Sequence, residues 1–123
     1  GGPKWAGGVL ANNGLIYGIP LDSQSVLIID PEAMTADTTS LSVPSGSLWM
    51  GAVLANNGKI FGIPYSANAV LIIDPETNTA DTTTLTDVGT AQYKYLGGVL
   101  ADNGKIFAFP SNTGNVLVIH PGC

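Results

Sequence analysis

The segment VLANNGLIYGIP at residues 9–20 returns as VLANNGKIFGIP at 53–64 and again as VLADNGKIFAFP at 99–110. Val9, Val53 and Val99 stand in register, at spacings of 44 and then 46 residues. A chain that restates one unit at such a period builds a repeat architecture, in which each unit hides its apolar surface against its neighbours.

Within each unit the apolar runs are short and rich in strand formers, as in GAVLA, KIFGI and AVLII. Asn-Gly pairs, prolines and Ser/Asn/Thr clusters separate them, and no helical period is present. The pairs Asn13-Gly14, Asn57-Gly58 and Asn103-Gly104 predict type I′ hairpins from a first strand to a second. A second connection, through PLDSQS, PYSANA or PSNTGN, leads to VLIID, VLIID or VLVIH. A third passes through DPEAMT or DPETNT to ADTTSLSV or ADTTTLTDV. Each full unit therefore reads as a four-stranded antiparallel meander. Its first strand carries small residues (Gly7-Gly8, Gly51-Ala52, Gly97-Gly98), its third is apolar throughout, and its fourth alternates threonine with leucine. A gradient from small and apolar to polar is what a β-propeller blade needs, with inner strands crowding an axis and an outer strand meeting solvent.

The stretch KIFGIPYSANAVLIIDPETNTA resembles a repeat of the YVTN/NHL-type β-propellers. Those repeats also run from an aromatic-containing strand through a Ser/Asn-rich loop to a V-x-x-I-D-P/T strand end. Pro20, Pro64 and Pro110 depart from that pattern, as does the near-identity of the copies. The resemblance implies blades; propellers host lectins, scaffolds, lactonases and lyases alike, so it implies no particular chemistry.

The expected fold is thus all-β, with blade 1 at about 4–47, blade 2 at about 48–92 and an incomplete blade 3 at about 93–123. The third copy has no counterpart of ADTTTLT, which makes about 2.75 blades. Propellers close with about four to eight blades. Three blades leave the outward faces of the first and last unpartnered, so closure by oligomerisation is expected. Two copies about a twofold axis would form a six-bladed ring; a filament or a longer parent chain are the alternatives.

Charge narrows the partners. Four lysines, no arginine and nine carboxylates give a formal charge of −5, which disfavours nucleic acid and anionic membrane surfaces. No apolar run is long enough for membrane insertion by a helix, and GGPKW at the start does not read as a signal peptide. No cofactor motif is present, and the acidic, lysine-poor composition leans slightly toward an extracellular setting. Cys123 is the single cysteine, either a free thiol or an interchain disulfide.

The loops divide into two sets. The hairpins ANNG, ANNG, ADNG and the turns IDPE, IDPE barely change between copies, whereas LDSQS, YSANA, SNTGN and the interblade segments do. In a meander blade these sets lie at opposite ends, so the variable end is the candidate binding face. Trp5, Trp49 and Tyr95 sit at equivalent positions beside it, as stacking platforms for a sugar or partner, or as wedges between blades. Tyr65, Tyr93, Asp22 and Lys94 accompany them. The DPE turns followed by Asp37 or Asp81 offer oxygen ligands for calcium, or local side-chain turns. His120 replaces Asp30 and Asp74, and one histidine assembles no catalytic constellation.

These features favour a non-enzymatic propeller module that self-assembles through its terminal blades and binds a partner on the variable loops. The alternatives are a multivalent lectin-like propeller, an enzyme of lactonase or lyase type, and a designed or reconstructed fragment without a ligand.

Overall fold

A computed structural model describes residues 5–21, 23–43, 48–86, 94–111 and 114–121. Asp22, Tyr93 and Cys123 lie outside these residues. Eleven strands form three sheets among them. The first contains β1 (Trp5–Leu10), β2 (Ile16–Pro20), β3 (Leu27–Asp30) and β4 (Thr35–Asp37), in that order. The second repeats it with β5 (Trp49–Leu54), β6 (Ile60–Pro64), β7 (Leu71–Asp74) and β8 (Thr79–Asp81). The third holds β9 (Tyr95–Leu100), β10 (Ile106–Pro110) and β11 (Leu117–Ile119). Every neighbouring pair is antiparallel, and the sheets are the blades of a propeller-type fold.

The first hairpins differ from the expected type. In the loop 12–14 the Ala11 carbonyl accepts from Gly14 N–H at 3.1 Å, and Ala11 N–H donates to Leu15 O at 2.9 Å. Positive φ belongs to Gly14, Gly58 and Gly104, and not to the asparagines before them. These are three-residue loops in which a turn is followed by a left-handed glycine, not type I′ turns. The asparagines act instead through their side chains: Asn13, Asn57 and Asn103 Oδ1 each accept the N–H two residues on, at 3.0 Å.

The fourth strand is shorter than expected. After Asp37 the chain turns on the carboxylate, whose Oδ1 accepts from Thr39 N–H at 2.7 Å and from Thr39 Oγ1 at 2.9 Å, while Ser40 Oγ donates to Oδ2. The backbone then rejoins the sheet: Val26 N–H donates to Leu41 O at 2.8 Å, and Val43 N–H to Gln24 O at 2.7 Å. Leu41 and Val43 are consequently buried, although the strand that precedes them is exposed.

Two apolar layers hold the sheets face to face. Between the first and second lie Tyr17, Ile19, Val26 and Ile28 against Ile60, Leu71 and Ile73. Between the second and third, Phe61, Ile63 and Val70 face Ile106, Ala108 and Ile119. The second sheet therefore points one face to the first sheet and the other to the third. Near the axis, glycines allow the innermost strands to meet. A Cβ added to Gly7 would stand 3.0 Å from the Gly51 Cα, and one added to Gly51 would stand 3.1 Å from the Gly97 Cα. All three adopt positive φ at a register shift in β1, β5 and β9.

Candidate functional site

At the variable end, backbone hydrogen bonds tie the loops together, and the one from Lys94 N–H to Tyr65 O joins the third sheet to the second. Leu48 O accepts the N–H groups of Tyr65, Ser66 and Ala67 at 3.0 to 3.1 Å. Tyr65 O in turn accepts Lys94 N–H at 2.7 Å, and Lys94 O accepts Ser111 N–H at 2.8 Å. Tyr65 and Lys94, singled out separately in the sequence, are thus neighbours. Tyr65 is half-buried, but Lys94 is only 1% exposed, and desolvation pulls its ammonium below the ordinary lysine range.

The aromatic series behaves as interblade packing. Trp49 is 1% exposed and donates its indole N–H to Ala69 O at 2.8 Å. It presents no free ring face for stacking. Tyr95 is likewise buried, in the layer between the second and third sheets. Trp5 makes the equivalent bond, to Ser25 O at 3.0 Å, but remains half-buried because no sheet precedes it among the described residues. The difference between Trp5 and Trp49 is therefore a neighbour, not a change in local geometry.

The acidic turns are satisfied locally. Asp30 Oδ1 accepts the N–H groups of Glu32 and Ala33, and Asp74 Oδ1 accepts that of Glu76, at 3.0 to 3.2 Å. The Ser40 hydroxyl, with Thr39 behind it, holds the Asp37 carboxyl down at about 2; the Thr84 hydroxyl and Thr83 lower Asp81 in the same way. Among the described residues no three His, Cys, Asp or Glu side chains gather as metal ligands. His120 is exposed at the end of β11.

Sequence reasoning missed two grooves at the other, invariant end. One, of ≈ 310 Å³, is lined by Asn12, Asn13, Asn57, Lys59, Asp74 and Glu76 among others. The other, of ≈ 350 Å³, repeats it one sheet on with Asn56, Asn103, Lys105, His120 and Pro121. Near-invariance of these hairpins between copies was the available signal, and it reads equally as turn chemistry.

The outward faces carry the clearest asymmetry. The face of the third sheet that matches the one buried in the first two exposes Val99 (49%), Phe109 (52%), Val116 (51%) and Val118 (40%). Their counterparts in the second sheet, Val53, Ile63 and Val70, are buried, and Ile72 is half-buried. On the opposite side of the molecule Leu10 is 62% exposed and Ile16, Leu27 and Ile29 are half-buried. Of their counterparts in the second sheet, Ile60, Leu71 and Ile73 are fully buried against the first sheet and Leu54 is half-buried there.

No protein-family model and no curated relative matches the sequence. Solved structures do. Hydrazine synthase from Kuenenia stuttgartiensis matches with a TM-score of 0.73 at 13% identity, over 98% of this chain and 33% of that one. An auxiliary nutrient binding protein from Bacteroides ovatus matches at 0.69 and 14%, over 96% and 28%. Virginiamycin B lyase from Staphylococcus aureus, a propeller, matches at 0.70 and 12%, over 94% and 41%. These likenesses establish the propeller fold and no activity. The chain spans between 28% and 41% of the length of these proteins.

Proposed function

We propose that this chain is a non-enzymatic assembly module, a set of propeller blades that closes with a second copy of itself into a six-bladed ring and offers its variable loops to a protein partner. One observation carries the reading: the two outward faces match the two halves of the packing already made twice inside the chain. The exposed face of the third sheet has the character of the Phe61, Ile63 and Val70 face, and the exposed face of the first has that of Ile60, Leu71 and Ile73. Apolar patches of several hundred Å² make soluble proteins associate. Contact between unlike faces satisfies both only if the rotation closes, and two copies of three blades reach the range in which propellers close. Tyr65 and the loop chain around Leu48 and Lys94 supply a rim on which variable side chains sit.

Light scattering after size exclusion tests the assembly. The expected mass is twice the chain's 12.6 kDa, unaffected by reductant, with Phe109→Glu shifting it to a folded single chain. A folded monomer in the unaltered protein, or an open series of larger species, would overturn the ring.

The paired grooves at the invariant end favour a second reading, a multivalent binder of small polar ligands such as sugars, in which weak repeated sites gain by avidity. A glycan array with the chain and with Asn12→Ala and Asn56→Ala variants tests it; uniform absence of binding removes it.

A further inference from the structure

The third sheet differs from the others in its outer edge. In the first two sheets the third strand is covered by a fourth, with Ile29 opposite Ala36 and Ile73 opposite Ala80. Further along, Val26 and Val70 N–H groups donate to Leu41 and Leu85 carbonyls at 2.8 and 2.9 Å. Among the described residues nothing pairs with the corresponding edge of β11, and the Val116 N–H, which stands in the place of Val26 and Val70, has no such acceptor. Beside this edge runs a groove of ≈ 340 Å³ lined by Val70, Leu85, Leu117, Val118, Ile119 and His120 among others.

The first pair of sheets shows what fills such a groove. There Ala80, on the fourth strand, packs onto the layer that contains Leu41, Leu71 and Ile73. The counterparts of those three residues are Leu85, Leu117 and Ile119, and all three line the open groove. The covering segments are TADTTSL at 35–41 and TADTTTL at 79–85, alike at all but one position. Their aspartate folds the threonines back on itself, Asp81 Oδ1 accepting from Thr83 N–H and Oγ1 at 2.7 and 2.8 Å, and so returns the leucine to the sheet.

We propose that the β11 edge and its groove receive an extended strand of the pattern Thr-Ala-Asp-Thr-Thr-Ser/Thr-Leu, which completes the third sheet in antiparallel register. The incoming alanine lies opposite Ile119 and enters the groove, its aspartate lies opposite Val118, and its leucine carbonyl accepts the Val116 N–H. This is strand addition to an open edge, with main-chain bonds supplying affinity and the small residue supplying selectivity. The groove lies between the second and third sheets and is already present in a single chain.

The probe is a capped peptide of residues 78–86, NTADTTTLT, offered to the full chain and read by fluorescence anisotropy and by amide hydrogen exchange. The expected result is saturable binding with slowed exchange at Val116–Ile119. A scrambled peptide, and one with proline for the alanine, which cannot continue a ladder, should bind at least ~10-fold more weakly. Absence of binding, equal binding by the scrambled peptide, or protection confined to other strands would overturn the proposal.

Discussion

At the scale of single residues, glycine conformation and carboxylate capping do most to set the local geometry. Gly51 holds φ at 87° and sits where an added Cβ would stand 3.1 Å from the Gly97 Cα, so alanine there meets two penalties. Gly14 has φ of 88° with nothing within 4 Å, and meets one. Gly14→Ala is expected to cost about 1–2 kcal/mol, and Gly51→Ala roughly 3 kcal/mol or more, in urea unfolding. Equal costs would show that the inner strands yield easily at the axis. The glycine pairs were legible in the sequence as a close approach, because small residues recurring at a strand start have few other uses. The positive φ of glycine alone in the hairpins was not, since Asn-Gly suits both a two-residue and a three-residue loop. Trp49 was ambiguous for a similar reason: an indole beside a strand reads as platform or wedge until its neighbour is known. Asp37 adds a pH dependence. Its folded pKa, about 2, lies below its ordinary value of 3.8, so the capping bonds stabilise the fold above that ordinary value and are lost as pH falls through about 2. Asp81 is shifted in the same direction. Asp37→Asn with Asp81→Asn should therefore lower thermal stability at neutral pH and flatten the acid limb between about pH 4 and 2; an unchanged limb would assign it to other carboxylates.

At the scale of elements, the fourth strand is where the chain departs most from a simple reading. Threonine alternating with leucine reads as an exposed strand, but the aspartate breaks the run and Leu41 is turned into the layer between sheets. Alternation could not reveal this, because one residue of backbone turn reverses the side that every later side chain faces. The two copies then differ by environment: Leu41 is buried, while Leu85 is half-buried next to the open groove. Leu41→Ala should cost about 2–4 kcal/mol and Leu85→Ala distinctly less, measured as shifts in urea midpoint at constant slope. Equal effects would mean that local pairing to Val26 and Val70, shared by both copies, outweighs packing against the next sheet.

At the scale of the molecule, the repeat makes each internal interface a model for the contact proposed between chains. The period, the strand order and the interblade layers were legible because burial in a repeat fold follows from copy number and neighbour, both of which sequence periodicity encodes. The exposure of the outward faces was not legible, since Val99 and Phe109 look like Val53 and Ile63 on paper and differ in having no sheet beyond them among the described residues. The glycine row turns this into a measurement. Gly97 holds φ at 105°, and an added Cβ finds nothing within 4 Å in one chain. If the third sheet meets the first sheet of a second copy as the internal sheets meet one another, Gly7 of that copy stands where Gly51 stands to Gly7 and Gly97 to Gly51. Gly97→Ala should then behave as Gly14→Ala within the single chain, yet weaken association by roughly tenfold or more, the equivalent of about 1.4 kcal/mol at the new contact. Trp5 gives the optical readout, because closure removes it from water while Trp49 is already buried; a blue shift of indole emission on raising protein concentration should move to higher concentration in the variant. Unchanged association by Gly97→Ala, with Gly51→Ala still costly, would mean that chains meet by some contact other than the one repeated inside them.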